Sequence, residues 1–279
     1  MQDNQSLAAS AVAQLFQAGG LGDKISIEGH YKVQCFESEG GPLLWEDEIL
    51  NVVCTAGKNY MLDNFIAGSA FTQVGPFMGL ISSVSWTNLA TTISSLTSYT
   101  GATVTLATAA SHGLTVGDTA IIAAVTGTGT NITAVQGTWT CLTGTTGTTL
   151  VFSIGASGLT ITTLTGGTVT TTAAPRILDT MASHGNWLEA GSTNAPTFAA
   201  RGTPAWSAAA NGAKATSSAV SFTMTGAGTL QGAFLVLGTS AVTTLMSTAG
   251  TLFSAGAFTG GSQVVSNGNV VTVTYTLSI

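Results

Sequence analysis

The chain has 279 residues with six Lys+Arg against twelve Asp+Glu, so charged side chains make up 6% of it, where an average soluble domain carries roughly 25%. The length allows two modest domains or one large β domain with an insertion, and the shortage of cations excludes a broad nucleic-acid surface, because neutralising many phosphates takes many positive charges. A net charge of -6, 35 glycines, abundant threonine and a mean hydropathy of +0.43 describe a hydrophobic, β-prone, almost uncharged protein whose surface suits burial in an assembly, since charge is what keeps exposed surfaces soluble.

Met1 to Asn4 places no positive region ahead of an apolar core, so no secretory signal is expected. No run approaches eighteen apolar residues, so no membrane-spanning helix is expected either. Cys35, Cys54 and Cys141 are odd in number and widely scattered, which predicts buried thiols rather than a disulfide framework.

In chain order, Ser6 to Ala18 reads as an amphipathic helix with Leu7, Val12, Leu15 and Phe16 near one stripe, stopped by Gly19 and Gly20. Ile25 to Phe36 and Leu43 to Val53 read as two strands joined through Glu39-Gly40-Gly41-Pro42. Gly57 to Phe65 has the spacing of a short helix that turns Met61, Leu62 and Phe65 inward, and Phe77 to Val84 returns to strand character. Eight of the twelve acids lie in the first fifty residues: Asp3, Asp23, Glu28, Glu37, Glu39, Glu46, Asp47 and Glu48.

The composition breaks near Leu96. From Ser98 to Thr172 there is no Lys, Arg or Glu and one Asp, Asp118. Strands are predicted at Ala102 to Ala107, Asp118 to Val125, Gly137 to Leu142, Thr149 to Ile154 and Gly167 to Thr171, with a turn over His112 to Asp118. This is the pattern of a small β barrel or sandwich inserted at a loop of a larger domain. Beyond Pro175 the large apolar residues return, with strands at Val220 to Met224, Gln231 to Leu237 and Val270 to Leu277. In the last, Val271, Val273, Tyr275 and Leu277 alternate with Thr272, Thr274, Thr276 and Ser278, and Ser266 to Asn269 predicts a tight hairpin back to Gln263 to Val265.

Catalytic signals are sparse. His30, His112 and His184 fall in separate segments, without the close pairing a metal site needs, and each reads as structural. Alternation along a strand separates Asp47 from Glu46 and Glu48, so the trio reads as a solvated strand edge rather than an oxygen cage. No nucleophile elbow occurs, and Gly127 to Gly129 and Gly144 to Gly147 lack the Lys-Ser/Thr of a phosphate loop and read as turns. Asp179 to Gly191 mixes an acid, an imidazole and an indole. Trp187 there is either an aromatic platform for a glycan or an assembly contact, or a core plug with Asp179 capping a turn. No catalytic, cofactor-binding or metal residue is expected.

Gly57-Lys58-Asn59 with Leu62-Asp63, Gly79-Leu80-Ile81-Ser82, Asp179 to His184 with Trp187, Ala205-Trp206-Ser207-Ala208-Ala209, Gly250 to Gly256 and the Val271 to Ser278 strand occur in an ordered series. That series resembles a family of structural proteins of tailed, mainly short-tailed, bacteriophages, over residues 20 to 85 and 176 to 279. Between them, Thr103-Val104-Thr105-Leu106-Ala107, then His112-Gly113-Leu114 with Gly117-Asp118, then Gly137-Thr138-Trp139 resemble a small β module of phage structural proteins. The resemblance implies a particle component and supplies no catalytic residues.

The expected protein is mainly β: a β-sandwich or jelly-roll-like core over 25–97 and 173–279, an N-terminal helical arm over 1–24, and an inserted Thr/Gly-rich β module over 98–172. The expected function is a non-enzymatic virion protein without cofactor. First comes a capsid cement or decoration subunit, a homo-oligomer and most simply a trimer, bound to the major capsid protein or other virion proteins. In it the acidic hairpin and N-terminal helix touch the shell, and neither nucleic acid nor membrane is a partner. The alternatives are a tail or neck component, or a receptor- or glycan-binding module.

Overall fold

The computed structural model describes residues 27–66, 74–86, 88–155, 160–171, 173–184 and 186–279. The expected helix over Ser6 to Ala18 lies outside them. The chain is mainly β and forms two antiparallel sheets. The first third contributes β1 (Glu28–Phe36), β2 (Leu43–Val53), α1 (Thr55–Ile66) and β3 (Phe77–Ser82). The middle contributes β4 (Leu89–Thr100), β5 (Thr103–Thr108), β6 (Thr119–Thr130), β7 (Gly137–Thr140), β8 (Thr149–Ser153) and β9 (Thr160–Thr171). The remainder is β10 (Leu188–Glu189), β11 (Ala213–Ala215), β12 (Val220–Thr223), β13 (Gly228–Leu237), β14 (Thr251–Ala257), β15 (Gln263–Val265) and β16 (Val270–Ser278).

The larger sheet runs β10-β3-β13-β14-β2-β1-β16-β11, with β12 also on β16 and β15 also on β13. The strict alternation of β1 buries Tyr31, Val33 and Cys35 and leaves His30, Lys32 and Gln34 half-buried on the opposite face, as a period of two requires. Its neighbours keep the same register: Tyr31 faces Ile49 on β2 and Tyr275 on β16, and Val33 faces Val273. Strand β2 turns the sheet, pairing with β1 along most of its length and with β14 only at Val52 and Val53. The sheet therefore folds over a shared core in which Tyr31, Val33, Val271 and Tyr275 meet Met78, Leu80, Leu230 and Leu235. That is the expected sandwich.

Helix α1 lies on β14 because Gly57 has no side chain. A Cβ there would stand 2.4 Å from the Phe253 carbonyl oxygen, so only glycine permits the approach. Leu62 was expected inward but points to solvent, because the sheet meets the helix along the Gly57 face. The hairpin expected between Gln263 to Val265 and the last strand is also absent. Instead β15 pairs with β13 (Val264 opposite Thr229), while β16 runs between β1 on one side and β11 and β12 on the other. The turn chemistry is present, with Gly268 at φ 91° and the Asn269 amide bonded to the Ser266 carbonyl, but it redirects the chain rather than closing a hairpin.

The second sheet, β7-β6-β9-β4-β5-β8, spans Leu89 to Thr171. It begins ahead of the compositional break, with β4, a strand not foreseen in the sequence. Its two ends approach, since the Leu142 amide donates to the Val151 carbonyl at 2.7 Å and Trp139 stacks on Phe152, which nearly closes a barrel. Val104, Leu106, Ala120, Leu150, Phe152 and Val169 fill its interior. Gly127 and Gly129 are strand residues of β6, not turns. A Cβ on either would lie 2.1 or 2.0 Å from the carbonyl oxygens of Thr163 or Thr160 on β9, so the close crossing of these strands demands glycine.

Candidate functional site

The segment richest in chemistry lies where the two sheets join. Asp179 accepts a hydrogen bond from Trp187 Nε1 at 2.8 Å and from the Arg176 amide at 2.9 Å, closing a loop in which the indole is 1% exposed. His184 stacks on that indole, with ring centroids 3.9 Å apart and planes 19° apart, and its Nδ1 lies 2.9 Å from the Trp187 carbonyl oxygen. Trp187 also meets Phe234 of β13 at 5.4 Å. The indole is thus a core plug, and burial removes it as a surface platform for sugars. Burial raises the Asp179 carboxyl above its ordinary range, against the Trp187 and Arg176 hydrogen bonds that favour the charged form.

Arg176 fastens the sheets together. Its Nη1 donates to the Gly113 carbonyl in the loop between β5 and β6, its Nη2 to Thr171 Oγ1 on β9 at 2.8 Å, and its Nε reaches the Asn186 side-chain oxygen, once that amide is oriented toward it, at 3.1 Å. Its carbonyl accepts from Cys54 Sγ at 3.6 Å. Burial first, and the Asp179 charge second, push the Cys54 thiol up to about 12, so it is protonated at neutral pH and is a poor nucleophile. Cys35 and Cys141 are likewise free and buried, each pushed up to about 11 chiefly by burial.

The acidic trio divides by strand alternation, but not into a solvated edge. Glu46 and Glu48 face outward beside Lys32 and His30, at 3.1 and 3.6 Å. Gln34 and Lys32 hold the Glu46 carboxyl below its ordinary range. Asp47 instead is buried. It accepts from the Thr259 amide and hydroxyl and the Gly260 amide, at 3.0, 2.8 and 2.8 Å, and so pins the loop after β14. Satisfying amides that would otherwise be orphaned is a stronger reason for this acid than discouraging sheet pairing.

His30 lies on the outer face of β1, while His112 is buried in the second sheet, where its Nδ1 accepts from the Leu114 amide at 3.0 Å. The three histidines stay apart, and among the described residues no group of three or more His, Cys, Asp or Glu converges as a metal site would require.

Two buried polar arrangements gave no signal in the sequence. Glu189 and Arg201 form a bidentate ion pair, and a second network joins Tyr31, Ser254 and Tyr275. Tyr31 and Ser254 hydroxyls lie 2.7 Å apart, Asn51 Nδ2 donates to Tyr275 at 3.3 Å, and burial drives both phenols upward, Tyr275 to about 12. Neither residue set is local in sequence; only the rarity of cations marked Arg201. Chemically, these groups bond one another and the surrounding backbone, which suits them to holding loops and joining sheets. No protein-family model, curated protein or solved structure matches this chain.

Proposed function

We propose that this chain is a non-enzymatic structural protein of a tailed-bacteriophage virion, a self-associating subunit that cements or decorates the capsid. The observation that carries the reading is the outer face of β2 and β1. There Leu44 and Leu50 bracket Glu46 and Glu48, and Leu50 is 79% exposed. On this face Lys32 pairs with Glu46 at 3.1 Å and the His30 ring stands 3.6 Å from Glu48, so a partner surface that covers the leucines meets carboxylates that already have polar neighbours. Exposed apolar residues bordered by polar ones are the ordinary composition of an assembly contact, and a stable one buries above about 1,000 Å².

The scarcity of charge across the whole chain supports the same reading, as does the resemblance of its motif series to phage structural proteins. The second sheet is a separate sheet tied to the rest of the chain at Arg176, and this reading assigns it as the outward-facing decoration. Purified virions test the assignment: the chain should be present in hundreds of copies, judged by band intensity against the major capsid protein. Tens of copies or fewer would place it in the tail or neck, and its absence from virions would end the structural reading.

A further inference from the structure

A groove of about 540 Å³ opens between α1 and the end of the larger sheet. Tyr60 and Met61 of α1 form one wall; Trp206, Leu237 and Leu277 form much of the other. Its lining is overwhelmingly apolar, and among the described residues Lys214 is the one charged side chain that borders it. An apolar concavity of this size would ordinarily be covered, because exposing it to water is unfavourable.

Ile27 also lines the groove, and it is the residue at which residues 1–26 enter the described structure. The sequence of that segment is matched to the groove. Read as a helix, Ser6 to Ala18 places Leu7, Ala11, Leu15, Val12 and Phe16 on one half of its circumference and Ser6, Ser10, Gln14 and Gln17 on the other. No charged residue occurs between Asp3 and Asp23, so burying the apolar half desolvates no ion. Thirteen helical residues extend roughly 20 Å. The linker 19–26 contains Gly19, Gly20 and Gly22 and reaches at most about 26–29 Å, enough for the helix to fold back beside Ile27.

We infer that the groove is the docking site for the chain's own N-terminal helix, Ser6 to Ala18, with its apolar half against α1 and Leu277. This assigns the helix to its own subunit rather than to the capsid shell, and it does not depend on the virion assignment. The short tether favours the intrachain arrangement by raising the local concentration of the helix at the groove.

Two measurements on the full chain test it. Leu15→Cys paired with either Met61→Cys or Ile279→Cys, treated with a short bismaleimide, should give a bridge within one chain, located by peptide mapping; the three native thiols are buried and poorly reactive. Leu15→Asp with Phe16→Asp should release the helix and raise the fluorescence of an apolar dye, 8-anilinonaphthalene-1-sulfonate, several-fold over the unaltered chain, with the circular dichroism of the sheets unchanged. A covalent dimer in place of the intrachain bridge would show that a second copy supplies the helix and would overturn the inference. So would the absence of any bridge, or dye binding that the aspartates leave unchanged.

Discussion

Glu189 and Arg201 are held out of solvent as a two-pronged ion pair, with Nε to Oε1 and Nη2 to Oε2 both at 2.7 Å. Their remaining capacity is taken by backbone: Arg201 donates to the Val242 and Ser247 carbonyls, and the Met246 amide donates to Glu189 Oε2. The guanidinium carbon also lies 5.5 Å from the Phe234 ring centre. The pair therefore ties β10 to the long loop between β13 and β14. Removing one partner leaves a buried, unmatched charge. Glu189→Gln is expected to lower stability to urea by about 3–5 kcal/mol, and the double variant with Arg201→Met should recover part of that loss. Additive losses would contradict the coupling.

Trp187→Phe removes the indole N–H from Asp179 while keeping an aromatic ring near Phe234. The carboxylate then keeps the Arg176 amide but loses a side-chain donor, at an expected cost of about 1–3 kcal/mol in chemical denaturation. Asp179→Asn in the same background should restore part of it, because an amide carries no charge to desolvate. No recovery would show that the cost comes from packing alone.

His112 gives the second sheet a pH dependence. Burial, its largest influence, lowers its folded-state affinity for a proton below that of ordinary imidazole, and the accepted bond from the Leu114 amide requires an unprotonated Nδ1. The unfolded chain then binds the proton more readily. The contribution of His112 is fully present above the ordinary imidazole value near 6.5 and is lost as pH falls through the lower folded-state value. Thermal melts should show the second sheet losing stability over that interval, and His112→Asn, which keeps an acceptor for the amide, should flatten the slope. An unchanged slope would assign the effect to other groups.

Gly127→Ala introduces a methyl group about 2.1 Å from the Thr163 carbonyl oxygen. The β6 and β9 backbones must part to admit it, so the melting temperature should fall, by an amount on the order of 1–3 kcal/mol of stability, while Gly117→Ala, with open space around it, costs only its turn conformation. Equal effects at the two positions would argue against the close crossing.

Much of the architecture was legible because it rests on local signals. The alternation of Val271, Val273 and Tyr275 and the turn residues between β1 and β2 define their strands whatever lies beside them. Strand β4 was not legible, because its Ser/Thr-rich run buries little beyond Ile93 and Thr91 and has almost no apolar rhythm. The partner of β15 was misread because a turn sequence fixes a change of direction but not which strand lies alongside. At the junction, Trp187 as a plug and Asp179 as a cap were among the open readings. The Glu189–Arg201 pair and the role of Asp47 were not, since each depends on backbone groups brought from distant segments by the fold.

The proposed self-association has a chain so poor in charge cover its outer faces with copies of itself. Sedimentation velocity of the purified full chain at micromolar concentration tests it most directly. A single oligomeric species is expected, most simply a trimer of the 27.9 kDa chain, that dissociates when Leu44 and Leu50 are both changed to Asp. A well-folded, monodisperse monomer would contradict it.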